Sequence, residues 1–357
     1  MKQIPHKPFK DFDEMVSVLR TEHGLTISLP DMARDTLRII PYYDLINGYK
    51  ECFMHDEKFS SDIDFSFLYL FYIFDHGFQN ILFEFSNTVE DYFKNILAHV
   101  SAEDFSIFED EYLDKKHYRT KSGPILADPL LGKIRSVYET STPEEPTLHY
   151  KKCHNHIPPW ILLKNVTFSN AINLFRLLKD PQRYKICDIM IPQNIEPDQK
   201  YQLLLYILTL VRKCRNSIAH GLKFISFSAR RYCYHLNFTK IMSFVPHQLL
   251  RWSDLKRQQG LFDIYAYIVF SLSLIPNSIL KGVLITRLVD YLSSDFPVSS
   301  PNPALRIDAV YLEKAKLPSD LFYRLSEYNE FILSEQINLM HKEIAHYQKT
   351  QSASNHP

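Results

Sequence analysis

Apolar residues recur at intervals of three and four along most of the chain, the spacing of helices that bury one face. Phe12, Met15, Val16 and Leu19 predict a helix over Phe9 to Glu22, with Gly24 as its stop, and Leu29-Pro30-Asp31 opens a second helix that runs to about Ile40. Pro41-Tyr42-Tyr43 interrupts that helix and Asn47-Gly48-Tyr49 marks a turn, which closes a small helical N-terminal unit over residues 1–60. From Asp64 to His99 the pattern predicts one or two long helices. The first half is apolar all round (Phe65, Phe67, Leu68, Leu70, Phe71), and the second carries one apolar stripe (Phe78, Ile81, Leu82, Phe85, Val89, Phe93, Ile96). Glu103 to Thr147 is polar and holds Pro124, Pro129, Pro143 and Pro146, so it reads as the least ordered interior stretch.

Trp160 to Leu178 reads as a helix after Pro158-Pro159, and Gln199 to Leu222 carries the strongest helical pattern of the chain. Ile225, Phe227, Tyr232, Tyr234, Leu236 and Phe238 alternate, which predicts a short β-hairpin or an extended arm over Phe224 to Phe244. Leu261 to Leu274 and Asn277 to Leu292 form two helices joined at Pro276. A last amphipathic helix covers Leu321 to Gln348, and Thr350 to Pro357 is a loose tail. The expected fold is all-α: the N-terminal unit, a helical core over 61–292, and a C-terminal helical extension with its tail over 293–357. With only 8 glycines in 357 residues, composition agrees, since sheets and tight turns use glycine heavily.

The chain holds 41 basic and 41 acidic residues, so any nucleic-acid footprint has to be local. Cys52, Cys153, Cys187, Cys214 and Cys233 are odd in number and widely spaced, which suits a reducing cytosol. The polar opening Met1 to Lys10 is no signal peptide, and apolar runs such as Ala266 to Pro276 are about half the roughly 20 residues of a membrane span. The expectation is a cytoplasmic protein with no membrane partner.

Within the helix Gln199 to Leu222 lies Arg215-Asn216-Ser217-Ile218-Ala219-His220, an Arg, four residues, then His. Asn216 and His220 share a helix face, while Arg215 lies further round with a side chain long enough to reach a phosphate beside the imidazole. Gly221 lets the helix end there. These residue types suit RNA cleavage, because RNA carries its own nucleophile in the 2′-hydroxyl. A histidine that titrates near neutral pH serves as acid or base. Arg215 holds the phosphate and the charge that develops on it, and Asn216 orients the imidazole or donates to a phosphate oxygen. The chemistry needs no metal and no cofactor. Spacing alone is not specific: somewhat under one such pair is expected by chance, and a second occurs at Arg230 and His235 in the alternating stretch.

Several segments, in order, resemble the Abi-like (AbiD/AbiF) abortive-infection family of bacteria. Lys7-Pro8-Phe9 with Leu19 and Gly24-Leu25 resembles its opening, and Pro41 to Tyr49 its "YYRLSGY" segment. Leu68 to Asp75 with Glu90-Asp91-Tyr92-Phe93-Lys94 resembles "Y-x-F-D … IE-x-x-LR", with Lys94 where the family usually has Arg. Pro158-Pro159-Trp160 with Thr167-Phe168-Ser169 resembles "LPLW … TFG", with Ser169 in place of the glycine, and Val211 to His220 resembles "LRN-x-x-AH". The resemblance covers roughly Lys7 to Leu292. It implies membership of the HEPN superfamily, a HEPN-like helical bundle, and a metal-independent endoribonuclease of a phage-defence or toxin–antitoxin system. It also implies a homodimer, since sites of that superfamily are commonly built from two motifs and this chain has one, and an RNA or protein antitoxin that restrains it. A non-catalytic RNA- or protein-binding module of the same superfamily is the alternative.

Other residues divide between functional and ordinary roles. Glu90 is either a buried partner of Arg215 or His220, or half of a surface ion pair with Lys94 four residues on. Asp75 reads as a helix-face or cap residue to which the resemblance lends functional weight. Arg212, Lys213, Lys223, Arg230 and Arg231 flank the motif and are the candidate RNA-binding patch. Trp160 reads as a core anchor rather than a base-stacking platform. His149, Cys153, His154 and His156 lack a second ligand pair for zinc and read as a polar loop.

Overall fold

The computed structural model of the protein describes residues 9–221, 223–233, 236–294 and 305–354, with side chains as far as 344. Among these residues the fold is helical. In chain order the helices are α1 (Phe12–Thr21), α2 (Pro30–Ile39), α3 (Lys50–Phe53), the 40-residue α4 (Phe65–Asp104), α5 (Glu109–Tyr112), α6 (Ala127–Glu139), α7 (Thr147–Cys153), α8 (Pro159–Asn165), α9 (Phe168–Leu177) and α10 (Asp180–Met190). There follow α11 (Pro197–Ala219), α12 (Phe238–Phe244), α13 (Trp252–Lys256), α14 (Ile264–Leu274), α15 (Ser278–Ser293), α16 (Ile307–Lys314) and α17 (Leu321–Ser354). Strands β1 (Met54–His55) and β2 (Lys58–Phe59) form one antiparallel ribbon, and β3 (Lys121–Ser122) and β4 (Ile125–Leu126) another.

The sequence encodes the helix starts locally. Asp11 and Glu14 form a capping box at α1, and Pro30 and Pro159 stand in the first turns of α2 and α8, where a missing N–H costs nothing. Tyr43–Asn47 is a single wide π turn, and a side chain at Gly48 would run into the Asp44 carbonyl, so this turn requires glycine.

Four expectations are corrected. The stretch 103–147 is ordered: α6 buries Leu130, Leu131 and Ile134, and Pro129 sits in its first turn, where it does not break the helix. The helix expected over 160–178 is two, because Val166 is extended and Thr167 accepts the Asn170 N–H to start α9 anew. The hairpins lie at 54–59 and 121–126. The described residues of 224–244 form turns and α12 instead, and Tyr234 and His235 lie outside the described residues. Thr350 to Ser354 continue α17 rather than forming a loose tail.

By contacts the chain divides into two compact units, each assembled from separated segments. The first comprises described residues of Met1–Ile81, Ser217–Phe227 and Arg287–Tyr323, and the second those of Leu82–Asn216, Ser228–Thr286 and Arg324–Pro357. The first has an aromatic core in which Phe53 meets Phe67 and Phe71 edge-on at 5.6 and 5.0 Å, and the Tyr311 ring lies 5.1 Å from both Phe74 and Phe78. In the second, Phe93 meets Phe175 at 5.7 Å, and α14 is buried almost all round. The charged Arg324 and Asp254 are also buried there, 2.5 Å apart. None of the described helices is long and apolar enough to cross a membrane.

Candidate functional site

The end of α11 carries the candidate motif. Leu203 to Leu208, Leu210, Val211 and Cys214 are buried along this helix, while Arg212, Lys213, Arg215 and Asn216 in its last turns are only partly buried. The helix stops at Ala219. His220 follows in a turn and is exposed, and Gly221 takes φ +59°, with its N–H donating to the Ile218 carbonyl at 3.1 Å. The left-handed glycine ends the helix directly beyond the imidazole.

Arg215 is held in the second unit by two groups of α4. Its guanidinium lies over the Phe83 ring, 5.6 Å from the centroid, and its Nε is 3.9 Å from Glu90 Oε2. Lys94 Nζ is 2.6 Å from the other Glu90 oxygen. The Glu90–Lys94 pair therefore forms, but not as a surface pair, since the two side chains are only 13% and 11% exposed. One carboxylate faces two cations. The cluster keeps one net positive charge, and the part of it nearest solvent is Arg215, at 36% exposure. The Arg215 Nε is buried and makes no hydrogen bond among the described residues. Asn216 is half-buried in the same helical turn.

Phe83 is the contact that the sequence reading missed. Its signal was available, since Phe83, Glu90 and Lys94 are spaced by seven and four, which puts them on one face of α4.

The other candidates have partners of their own. Arg212 is half-buried and donates to Ser169 Oγ at 3.2 Å; burial pulls its guanidinium below its usual range. Ser169 stands where the resemblance places a glycine, so here the hydroxyl serves that arginine. Lys213 Nζ lies 3.4 Å from the Tyr232 ring centroid. Lys223 pairs with Glu51 at 2.6 Å. Arg230 is exposed and donates to Gln258 at 3.2 Å, and Arg231 is exposed.

Asp75 is neither a cap nor a surface residue. It is buried in the first unit, where the hydroxyls of Tyr49 and Tyr311 donate to its two oxygens at 2.8 and 2.6 Å. Burial pushes this carboxyl above the usual range, against the bonds donated by Tyr311, Tyr49 and Gln79. Asp75, Gln79, Gly221 and Lys223 line a cavity of about 30 Å³, room for about one water. His149 and Cys153 lie one turn apart on α7 rather than in a loop, with Sγ 3.8 Å from Nδ1.

The profile of the Abi-like protein family matches residues 35–226, more than half of the chain. The chain belongs to the Abi-like family. That family is associated with abortive infection and phage defence. The matched region of this Abi-like protein includes the Tyr49–Asp75 bond, Glu90, Lys94, Trp160 and the whole motif from Arg215 to His220. No curated protein and no solved structure matches the chain.

Proposed function

We propose that this Abi-like protein is a metal-independent endoribonuclease of the HEPN type, in the AbiD/AbiF group, acting in a phage-defence or toxin–antitoxin system. The observation that carries the reading is Arg215: a half-exposed guanidinium set by Glu90 and Phe83 near the helix end that bears Asn216 and is followed by His220. A guanidinium braced from one side and open on the other suits a phosphate that gains charge during reaction. His220 removes the 2′-hydroxyl proton, the 2′-oxygen attacks the adjacent phosphorus, and the 5′-oxygen leaves with a proton delivered by an acid. The products are a 2′,3′-cyclic phosphate and a 5′-hydroxyl. Asn216 orients the imidazole or the phosphate. A second copy of the chain supplies the facing motif and the second acid–base group, and an RNA or protein antitoxin restrains the pair.

The test is cleavage of labelled RNA with end-group analysis. His220→Ala and Arg215→Ala each lower the rate by roughly 10²–10⁴-fold, the range for loss of an acid–base group or a charge-stabilising donor. The exposed His220 leaves no core cavity when truncated, so the fold survives. Cleavage persists in EDTA. Light scattering gives about twice the 42.1 kDa chain mass. Equal rates for wild type and His220→Ala overturn the site, and a requirement for magnesium overturns the mechanism.

A further inference from the structure

Beside Lys94, wholly within the second unit, α4, α8 and the junction of α14 with α15 enclose a cleft of about 460 Å³. That volume falls within the 300–1,000 Å³ of small-ligand sites. One wall is Trp160, which is 44% exposed and so is not the core anchor that its sequence context suggests. Leu163, Ile275 and Pro276 supply further apolar surface. The charged lining residues are Asp91, Lys94 and Lys164, and the neutral polar ones are Thr88, Tyr92, Asn95 and Asn277. Asn95 is exposed at the rim, and Asn277 spends its Oδ1 on the Leu280 N–H at 2.8 Å, which leaves its amide nitrogen as the group able to donate to a ligand. Both lysines of the cleft are already matched by carboxylates, Lys94 by Glu90 at 2.6 Å and Lys164 by Asp91 at 3.7 Å.

The lining argues for a ligand class. A phosphate would have to draw Lys94 away from the nearly buried Glu90, which leaves it only the exposed Lys164, whereas a flat uncharged ring disturbs neither pair. An indole face beside amide donors is the arrangement on which proteins stack and read single-stranded bases. Lys94 lines the cleft and shares Glu90 with Arg215, so one ion-pair network joins this cleft to the candidate phosphate-binding arginine.

We infer that this cleft is a nucleobase subsite, in which a base of the single-stranded RNA substrate stacks on Trp160 while its strand continues toward Arg215. The inference rests on the RNA-cleaving reading above and adds which part of the substrate is recognised and where.

The chain has two tryptophans, so Trp252→Phe leaves Trp160 as the only indole and makes it a local probe. The ligand is a short single-stranded RNA with 2′-O-methyl sugars, which lacks the attacking hydroxyl and survives titration. The expected result is saturable quenching of Trp160 emission, reversed by excess nucleoside but not by ribose 5-phosphate. In fluorescence anisotropy Trp160→Ala binds the same RNA roughly 10- to 100-fold more weakly, the range for loss of one stacked base, and Trp160→Phe recovers most of it. Because Trp160 is half-exposed, a thermal melt of Trp160→Ala matching wild type shows that the loss is not unfolding. Unchanged RNA affinity in Trp160→Ala with no quenching overturns the base subsite and leaves the nuclease reading intact. Competition by ribose 5-phosphate as strong as by nucleoside overturns it in favour of phosphate. RNA binding by no form of the protein overturns both.

Discussion

Replacing Glu90 with glutamine keeps the shape of the side chain and removes the negative charge that faces both Lys94 and Arg215. At an effective dielectric of about 20, unit charges 2.6 Å apart attract by roughly 6 kcal/mol and those 3.9 Å apart by roughly 4 kcal/mol. Most of this is offset by the water that the groups gave up on folding. Arg215 is 36% exposed, so its share is further screened by solvent. Lys94 at 11% exposure is not, and Glu90→Gln leaves it without a counter-charge. The expected loss is about 3 kcal/mol, at the lower edge for breaking a buried pair. For a cooperative unit of a few hundred residues that lowers Tm by roughly 6–10 °C. Lys94→Met behaves differently, because Glu90 then still faces Arg215, and its loss is smaller. Urea denaturation of wild type, Glu90→Gln, Lys94→Met and the double variant measures the difference, with m unchanged as the check that only stability moved. RNA cleavage measured alongside falls roughly 10- to 100-fold in Glu90→Gln, because Arg215 loses the group that aims it. If Lys94→Met costs as much stability as Glu90→Gln, the carboxylate is not the hub of the cluster and the reasoning fails.

Two further outcomes follow from charges away from the motif. Asp254 is fully buried, yet bonds from Arg324 and the Arg251 N–H outweigh the burial and hold its carboxyl below the usual range; since Arg257 still pairs with Asp254 at 2.8 Å, Arg324→Met costs roughly 2–3 kcal/mol at pH 7, below the full cost of an unpaired buried charge. A lowered carboxyl pKa gives stability that is present above about pH 4 and is lost as pH falls further, so the wild-type advantage narrows in acid; an Arg324→Met deficit that does not shrink there argues against the pair. Burial lowers Lys281 to about 8, with Nζ donating to the Tyr328 hydroxyl at 3.1 Å. Its charged form is thus disfavoured in the folded state, and stability rises with pH between about 8 and 10.5. Lys281→Met is expected to gain on the order of 1 kcal/mol at pH 7 and to abolish that rise, which urea titrations at pH 7 and 10 measure.

Periodicity was enough to place α4, α11, α14 and α15, because each buries a stripe or a whole surface of large apolar side chains. It failed at α6, where prolines and charges mask four buried residues, and at Thr167, where one capping hydroxyl divides two helices without altering the apolar pattern. The alternation over 224–238 misled for the opposite reason: Ile225 and Phe224 are buried as parts of turns, and among the described residues of that stretch alternation arises without a strand. At the candidate site, the residue types and spacing of Arg215, Asn216 and His220 were legible because one helix carries them. The double engagement of Glu90 was legible only as alternatives, since the choice depends on how α11 lies against α4. That Asp75 is buried could not be read at all, because one of its partners, Tyr311, is 236 positions away.

That separation has a consequence for synthesis of the chain. At about 5–20 residues per second, a ribosome makes Tyr311 roughly 12–47 seconds after Asp75. Until then the Asp75 carboxyl lacks one of its two tyrosine donors, and the unit that contains His220 lacks the Arg287–Tyr323 segment that completes it. A ribosome stalled before codon 311 therefore holds a chain in which Arg215, Asn216 and His220 are already made while the unit that contains His220 still lacks part of its third segment and the buried Asp75 one of its hydroxyl donors.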